Sequence, residues 1–152
     1  MQAREVYNLI VNTLNAKGWN FERDDERLVI RTGVSGEDLP INFALLVNER
    51  NEVAQFISSL PIHMPEDMRV DGAIAVAVAN YGMVDGSFDY DMSDGEIRFR
   101  LTTAYRDGTL GPDNVEYLIG VGAGMVEKYN DRFFLLAKKL MTIEQFIEKE
   151  NE

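Results

Sequence analysis

The strongest restriction on the fold comes from residues 87–105, where two alternating segments flank the dipeptide Asp94-Gly95. Asp-Gly suits the two-residue type I′ turn of a β-hairpin, in which both central residues take positive φ. We therefore expect Asp94 and Gly95 to form the structural turn of an antiparallel hairpin. This register places apolar pairs on one face and opposite charges on the other. The expected pairs are Phe88–Leu101, Tyr90–Phe99, Met92–Ile97, Asp89–Arg100 and Asp91–Arg98.

The N-terminal part of the chain predicts a helix followed by a strand meander. Apolar residues recur at helical spacing over residues 2–17, and Gly18 provides a stop signal directly after them. From Trp19 onwards the apolar period falls to two residues, which is typical of strands. The expected strands lie near residues 19–21, 28–30, 41–48 and 52–59, and Pro61 and Pro65 are expected to close the meander.

Residues 72–79 alternate in a way that also suits a buried strand. Their alanines favour a helix, and Pro65 and Glu66 provide helix-start signals upstream. We therefore predict a buried helix that ends near Gly82.

A long apolar stripe predicts that Pro112 opens the last major helix. As one straight helix, residues 112–140 would measure about 42 Å at the usual rise, against a domain diameter of about 38 Å. The helix must therefore overhang, bend or break near residues 130–131. Thr142 and Gln145 have the spacing of a capping box, so a short terminal helix is expected to restart there.

These elements predict one α+β domain over residues 1–152, with residues 142–152 as a terminal helical extension. The expected order is helix, strand meander, helix, β-hairpin and long C-terminal helix, built around an antiparallel sheet. A chain of this length is large enough to bury a single core of its own.

The composition argues against several classes of function. The formal net charge is −11 and the basic residues are dispersed, which argues against a nucleic-acid ligand. The longest nearly uncharged stretch, residues 72–84, is shorter than the roughly 20 residues of a membrane span. The N-terminus does not resemble a signal peptide, so we expect no membrane contact and a cytoplasmic location. With no cysteine, the chain has no disulfides, thiol nucleophiles or iron–sulfur ligands.

Three motifs suggest sites, but their context favours structural roles. The glycine-rich run at residues 120–124 lies inside a helical stripe, whereas a dinucleotide motif follows a strand and opens a helix. Residues 89–100 resemble a calcium loop, but Asp94 stands where that loop needs glycine and Arg100 where it needs glutamate. His63 is the only histidine, so a multi-histidine metal site is excluded. We expect no catalytic residue, cofactor or metal.

The last helix carries apolar residues outside its main stripe. Such a second apolar face must be covered, either by the rest of the monomer or by a dimer mate or partner; the spacing leaves both possibilities open. The candidate residues for a dimer or partner surface are Tyr117, Val121, Met125, Phe134 and Leu135.

Residues 80–91, 94–100 and 112–116 resemble the YbjN family. The shared features are an asparagine, a G-x-F segment, the motif D-G-x-[IV]-x-[FY]-[RK] and a Pro-Asp helix opening. The family is labelled as sensory transduction regulators and is similar in fold to the small, acidic, dimeric type III secretion chaperones. The resemblance implies this fold, a homodimer and a protein partner, and it supplies no catalytic residue.

We therefore expect a non-enzymatic protein-binding module that is chaperone-like or regulatory. The alternative is a small-ligand sensor or an enzyme with a pocket lined by carboxylates and tyrosines between the sheet and the helices.

Overall fold

The computed structural model describes residues 1–152 and confirms the α+β fold with an antiparallel sheet. The helices are α1 (Ala3–Ala16), α2 (Arg69–Tyr81), α3 (Pro112–Ala137) and α4 (Ile143–Glu150). The strands are β1 (Glu22–Asp24), β2 (Val29–Val34), β3 (Ile41–Asn48), β4 (Val53–His63), β5 (Ser87–Tyr90) and β6 (Glu96–Ala104). All six strands pair antiparallel in the order β1-β2-β3-β4-β6-β5.

The four helices lie on one face of the sheet and share a single hydrophobic core with it. Strict alternation in β3 buries Phe43 and Leu45, because successive side chains point to opposite faces. On β4, the ring of Phe56 lies directly under Gly122 of α3, where a Cβ atom would come within 2.5 Å of it. Glycine at this position therefore allows α3 to approach the sheet closely.

The meander departs from its predicted limits at both ends. Trp19 and Phe21 precede β1 rather than forming it. At the other end, β4 continues through Pro61 to His63, so the prediction that Pro61 ends the meander was wrong. The pairing of β4 with β6 shifts register between Ser59 and His63. Proline has no N–H to donate, and such an irregularity is where a strand tolerates it.

The β5–β6 hairpin forms where predicted, but its register differs by two residues. Phe88 pairs with Phe99 rather than Leu101, and Asp89 pairs with Arg98. The turn is a longer loop, in which the Gly95 N–H donates to the Asp91 carbonyl at 2.7 Å. Gly95 alone takes a positive φ, of 78°, so the predicted type I′ turn at residues 94–95 was wrong.

Gly95 and Asp94 nevertheless hold this loop. The Gly95 carbonyl accepts from the Met64 N–H at 2.9 Å, which ties the loop to the segment before α2. The Asp94 carboxylate accepts from the Glu96 N–H at 2.9 Å. Asp91 and Met92 lie in the loop after β5, so the predicted pairs Asp91–Arg98 and Met92–Ile97 were wrong. Within β5 and β6, a shift of two residues keeps each side chain on its predicted face, since the period of a strand is two. Asp89 therefore still bonds both Arg98 at 3.0 Å and Arg100 at 3.2 Å.

The helical predictions largely hold. Residues 72–79 are helical within α2, and Gly82 follows its last residue. Of the alternatives for the long helix, α3 runs unbroken for 26 residues to Ala137. The predicted capping box opens α4, because Thr142 Oγ1 accepts from the Gln145 N–H at 3.1 Å and Gln145 Oε1 accepts from the Thr142 N–H at 2.9 Å.

Candidate functional site

Exposed apolar side chains concentrate around α2. Seven large hydrophobic residues are exposed, and five of them lie on α2, on the loop after it, or near the start of α3. Tyr81 is 95% exposed, and Val84 is completely exposed at 102%. The five residues are Val70, Ile74, Tyr81, Val84 and Tyr117. Contiguous exposed apolar area on a protein surface marks a contact site more often than scattered single residues do.

The outer side of α2 is apolar because this helix is apolar all round. Its inner side buries Gly72, Ala75, Val76 and Ala79. The outer side repeats apolar residues at spacings of four, three and four, which keeps them on one face. We call the α2 surface the four exposed helix residues Val70, Ile74, Ala77 and Tyr81 together with the exposed Val84 on the loop after the helix. The prediction that α2 is buried was therefore wrong for its outer side.

The candidate residues at the start of α3 border this surface. Tyr117, Val121 and Met125 line a groove of about 230 Å³ together with the loop at residues 82–85. The Tyr117 hydroxyl donates to the Asp85 carboxylate at 2.9 Å. This hydrogen bond, with burial as a smaller cause, raises the pKa of Tyr117 above its usual value. The loop therefore covers part of the flank of α3 that the sequence predicted as a contact surface.

The other two candidate residues, Phe134 and Leu135, do not line this groove. They line a depression of about 460 Å³ with Leu39 and two acidic residues, Asp38 and Asp131. The five predicted surface residues therefore do not form one continuous face, because α3 turns its side chains towards different neighbours along its length. Both Phe134 and Leu135 are half-buried.

The cavities do not match the expected pocket between sheet and helices. A depression of about 740 Å³ lies along β1 to β4, has Glu22 as its only carboxylate and contains no tyrosine. It includes Arg31 and Ala44, which alternate with the buried Ile30 and Leu45 and so belong to the open face of the sheet. No group of three or more His, Asp or Glu side chains is placed to hold a metal ion.

Sequence reasoning missed the α2 surface because it assigned the whole helix to the core. A signal was present, since residues 70, 74, 77 and 81 are apolar at helical spacing on the side opposite residues 72, 75, 76 and 79. A helix that is apolar on both sides is either enclosed or exposes one side to a partner.

Comparisons with known proteins support the fold. The profile of the YbjN family, described as "Putative bacterial sensory transduction regulator", matches residues 7–135. A crystal structure of YbjN from E. coli superposes with a TM-score of 0.62 at 9% identity, covering 83% of this chain and 92% of that one. A search of curated proteins gave no match.

Two protein complexes also contain similar chains. A chain of the ExsC–ExsE complex superposes with a TM-score of 0.58 at 12% identity, covering 86% of this chain and 96% of that one. A chain of the HopA1–SchA chaperone–effector complex superposes with a TM-score of 0.56 at 12% identity, covering 83% and 93%.

The fold therefore places the molecule in the class of small α+β proteins shaped like type III secretion chaperones. Within that class, the chain belongs to the YbjN family. None of its helices has the length and apolarity needed to cross a membrane.

Proposed function

We propose that the protein is a non-enzymatic, cytoplasmic protein-binding module, chaperone-like or regulatory, and that the α2 surface is its main contact site. The observation that carries the proposal is the concentration of exposed apolar side chains on α2 and the loop after it. Exposing Ile74, Tyr81 and Val84 to water is unfavourable, and a partner that covers them would gain the free energy of apolar burial.

The similar structures support the same class of function. In two of them, the ExsC–ExsE and HopA1–SchA complexes, the similar chain comes from an assembly of proteins. The net charge of −11 favours a partner segment that combines apolar side chains with basic ones, because complementary charge speeds association and suppresses wrong partners.

The proposal includes a homodimer through the flank of α3. Tyr117, Val121 and Met125 lie beside the α2 surface, so a second copy seated on this flank would leave most of α2 available to a partner. Phe134 and Leu135 line a separate depression and are proposed only as a weaker contact.

The test is affinity capture from the native host under gentle conditions, followed by mass spectrometry of the bound proteins. Wild type is compared with Ile74→Glu and Val84→Glu, which place a charge on the α2 surface. We expect both variants to lose the same specific partner, since an unpaired charge at an apolar contact must be desolvated.

Two exposed alanines provide a matched control. Ala77 belongs to the α2 surface, whereas Ala104 ends β6 away from the helices. Ala77→Glu should abolish capture and Ala104→Glu should leave it unchanged. Equal capture by all the variants, each folded like wild type, would show that α2 is not the contact site. Turnover of a small molecule by the purified chain would contradict the non-enzymatic assignment.

A further inference from the structure

The main anchor of the terminal helix α4 is one buried aromatic side chain. Phe146 is 0% exposed, and its ring packs on Phe133 of α3 with centroids 5.4 Å apart. Phe133 in turn meets Phe88 of the sheet at 5.1 Å, edge to face. The remaining outward residues of α4 are mostly charged. Ile143 is partly buried and also packs against the core, so the inner side of α4 carries both Phe146 and Ile143.

The second attachment of α4 is a carboxylate. Glu150 Oε2 accepts from the Tyr129 hydroxyl at 2.9 Å, and Oε1 accepts from Arg132 Nη1 at 2.6 Å. The side chains of Arg132 and Glu150 are only 15% and 10% exposed. Phe146 and Glu150 are four residues apart, which places both on the same side of a helix. The receiving surface therefore recognises an aromatic ring followed by a carboxylate one turn later.

An open groove borders α4. Between α2 and α4 lies a groove of about 390 Å³, lined on one side by Val78 and Tyr81 and on the other by Ile147. Ala77 and Tyr81 belong to both this groove and the α2 surface. The family profile ends at residue 135, before α4 begins. Helix α4 thus lies outside the residues that the family profile matches, and it forms one wall of a groove that adjoins the proposed contact site.

A helix as short as α4 has little stability of its own. Isolated helices below about 12 residues are marginal in water, and α4 has 8. It joins α3 through an exposed connection, with Lys139 in the left-handed conformation and Leu140 71% exposed. Detachment of α4 would leave Arg132 without its carboxylate partner. The surface that α4 vacates would then keep a positive charge that attracts another carboxylate.

We propose that the surface of α2 and α3 on which α4 packs is the docking site for a helical segment of the protein partner, and that this segment displaces α4. The segment is an amphipathic helix with an aromatic side chain in the position of Phe146 and a carboxylate four residues later, in the position of Glu150. The inference rests on the proposed function, because it specifies the chemistry of that partner.

The probe is a fluorescein-labelled peptide with the sequence of residues 142–152, measured by fluorescence anisotropy against the full-length chain. Phe146→Ala releases α4 from its seat. The released chain should bind the peptide at least about tenfold more tightly than wild type, because the docking site is free in a larger fraction of molecules. A peptide carrying both Phe146→Ala and Glu150→Gln should not bind either chain.

A second variant covers the case in which Phe146→Ala fails to fold. Thr142→Ala with Glu150→Gln removes the N-cap and the ionic contact of α4 while leaving the aromatic core intact. Amide hydrogen exchange over residues 143–150 should accelerate by at least about tenfold, with α3 unchanged, as for a local opening. This variant should also bind the peptide more tightly than wild type does.

The matched control uses a crosslink between α2 and α4 to keep α4 in place. The chain has no cysteine, so Val78→Cys with Ile147→Cys offers a single thiol pair across the groove for a short bifunctional thiol reagent. The crosslinked chain should not bind the peptide, whereas the same variant before crosslinking should bind like wild type.

Equal binding by crosslinked and released chains would overturn the inference, as would no binding by a released chain that is folded. Dimerisation of the Thr142→Ala, Glu150→Gln chain by exchange of α4, with exclusion of the peptide, would overturn it in favour of a second copy as the occupant. These results are independent of the capture test, in which loss of the partner on Ile74→Glu supports the proposed function whatever the peptide does.

Discussion

Helices α2 and α3 both carry apolar side chains beyond those that pack on the sheet, but the chain covers those of α3 more fully. On α3, the loop at residues 82–85 lies against Val121, and Phe134 is half-buried further along. On α2, Ile74 is 40% exposed and Tyr81 is 95% exposed. Both helices carry apolar residues on more than one side, but different segments of the chain pack around them.

The difference shows what a second apolar face means. Such a face predicts that something covers it, but the local pattern does not say whether that cover comes from the same chain. For α3 much of the cover is intramolecular, which makes its flanks weaker candidates for a contact than the spacing suggests. For α2 the cover is missing over Val70, Ile74 and Tyr81, which makes it the stronger candidate.

The largest expected effect compares covered and uncovered residues directly. Phe133→Ala should lower the free energy of unfolding by about 3–5 kcal/mol, since this side chain is fully buried. Phe134→Ala, next to it but half-buried, should cost about 1–2 kcal/mol. Ile74→Ala on α2 should cost no more than about 0.5 kcal/mol. Urea unfolding measures all three, and a cost for Ile74→Ala equal to that of Phe134→Ala would remove the contrast.

The glycines of α3 allow covered and uncovered positions to be compared within one helix. Gly122→Ala should destabilise the protein by about 1–3 kcal/mol, because its methyl group would meet the Phe56 ring. Gly120 and Gly124 face open space in the monomer. Alanine at either should raise stability by up to about 1 kcal/mol through helix propensity. Thermal unfolding at a protein concentration that keeps the chain monomeric measures the difference. Destabilisation by Gly124→Ala would show that another element approaches there.

Alkaline pH should weaken the contact between α3 and α4. Burial, together with the Glu150 hydrogen bond, raises the pKa of Tyr129 to about 12. The folded state therefore holds this proton more tightly than the unfolded chain, whose tyrosine pKa is about 10. The stabilising contribution is fully present below about pH 10 and is lost as pH rises towards 12.

Tyr129→Phe isolates this effect, because other tyrosines also have raised pKa values. Comparing denaturant midpoints of wild type and Tyr129→Phe at about pH 9 and pH 11 should show the wild-type advantage shrinking. A constant difference between the two proteins would contradict the assignment.

The last prediction concerns self-association, and its variants are expected to change stability least. Sedimentation should show a wild-type dimer that Val121→Glu weakens, while Leu135→Glu leaves it largely intact because Leu135 lines a different depression. Monomeric behaviour of all three folded proteins would remove the homodimer. Unfolding of Val121→Glu would instead assign that residue to the monomer core.

Several features followed from local chemistry alone. Strict alternation in residues 41–48 predicted β3, and Thr142 with Gln145 predicted the start of α4, because strand period and capping depend on neighbouring residues. In β5 and β6 the inward-facing side was also predicted correctly, so Phe88 and Phe99 were assigned to the buried face.

Long-range contacts decided the rest. The hairpin register differs by two residues from the prediction, and a shift of two preserves both faces, so the apolar and charge patterns were unable to distinguish the alternatives. The Gly95–Met64 hydrogen bond joins the loop to a distant segment. Likewise, α2 remains exposed because no loop covers Ile74 and Tyr81. Sequence period determines which residues share a face, whereas the cover over that face comes from segments far away in the chain.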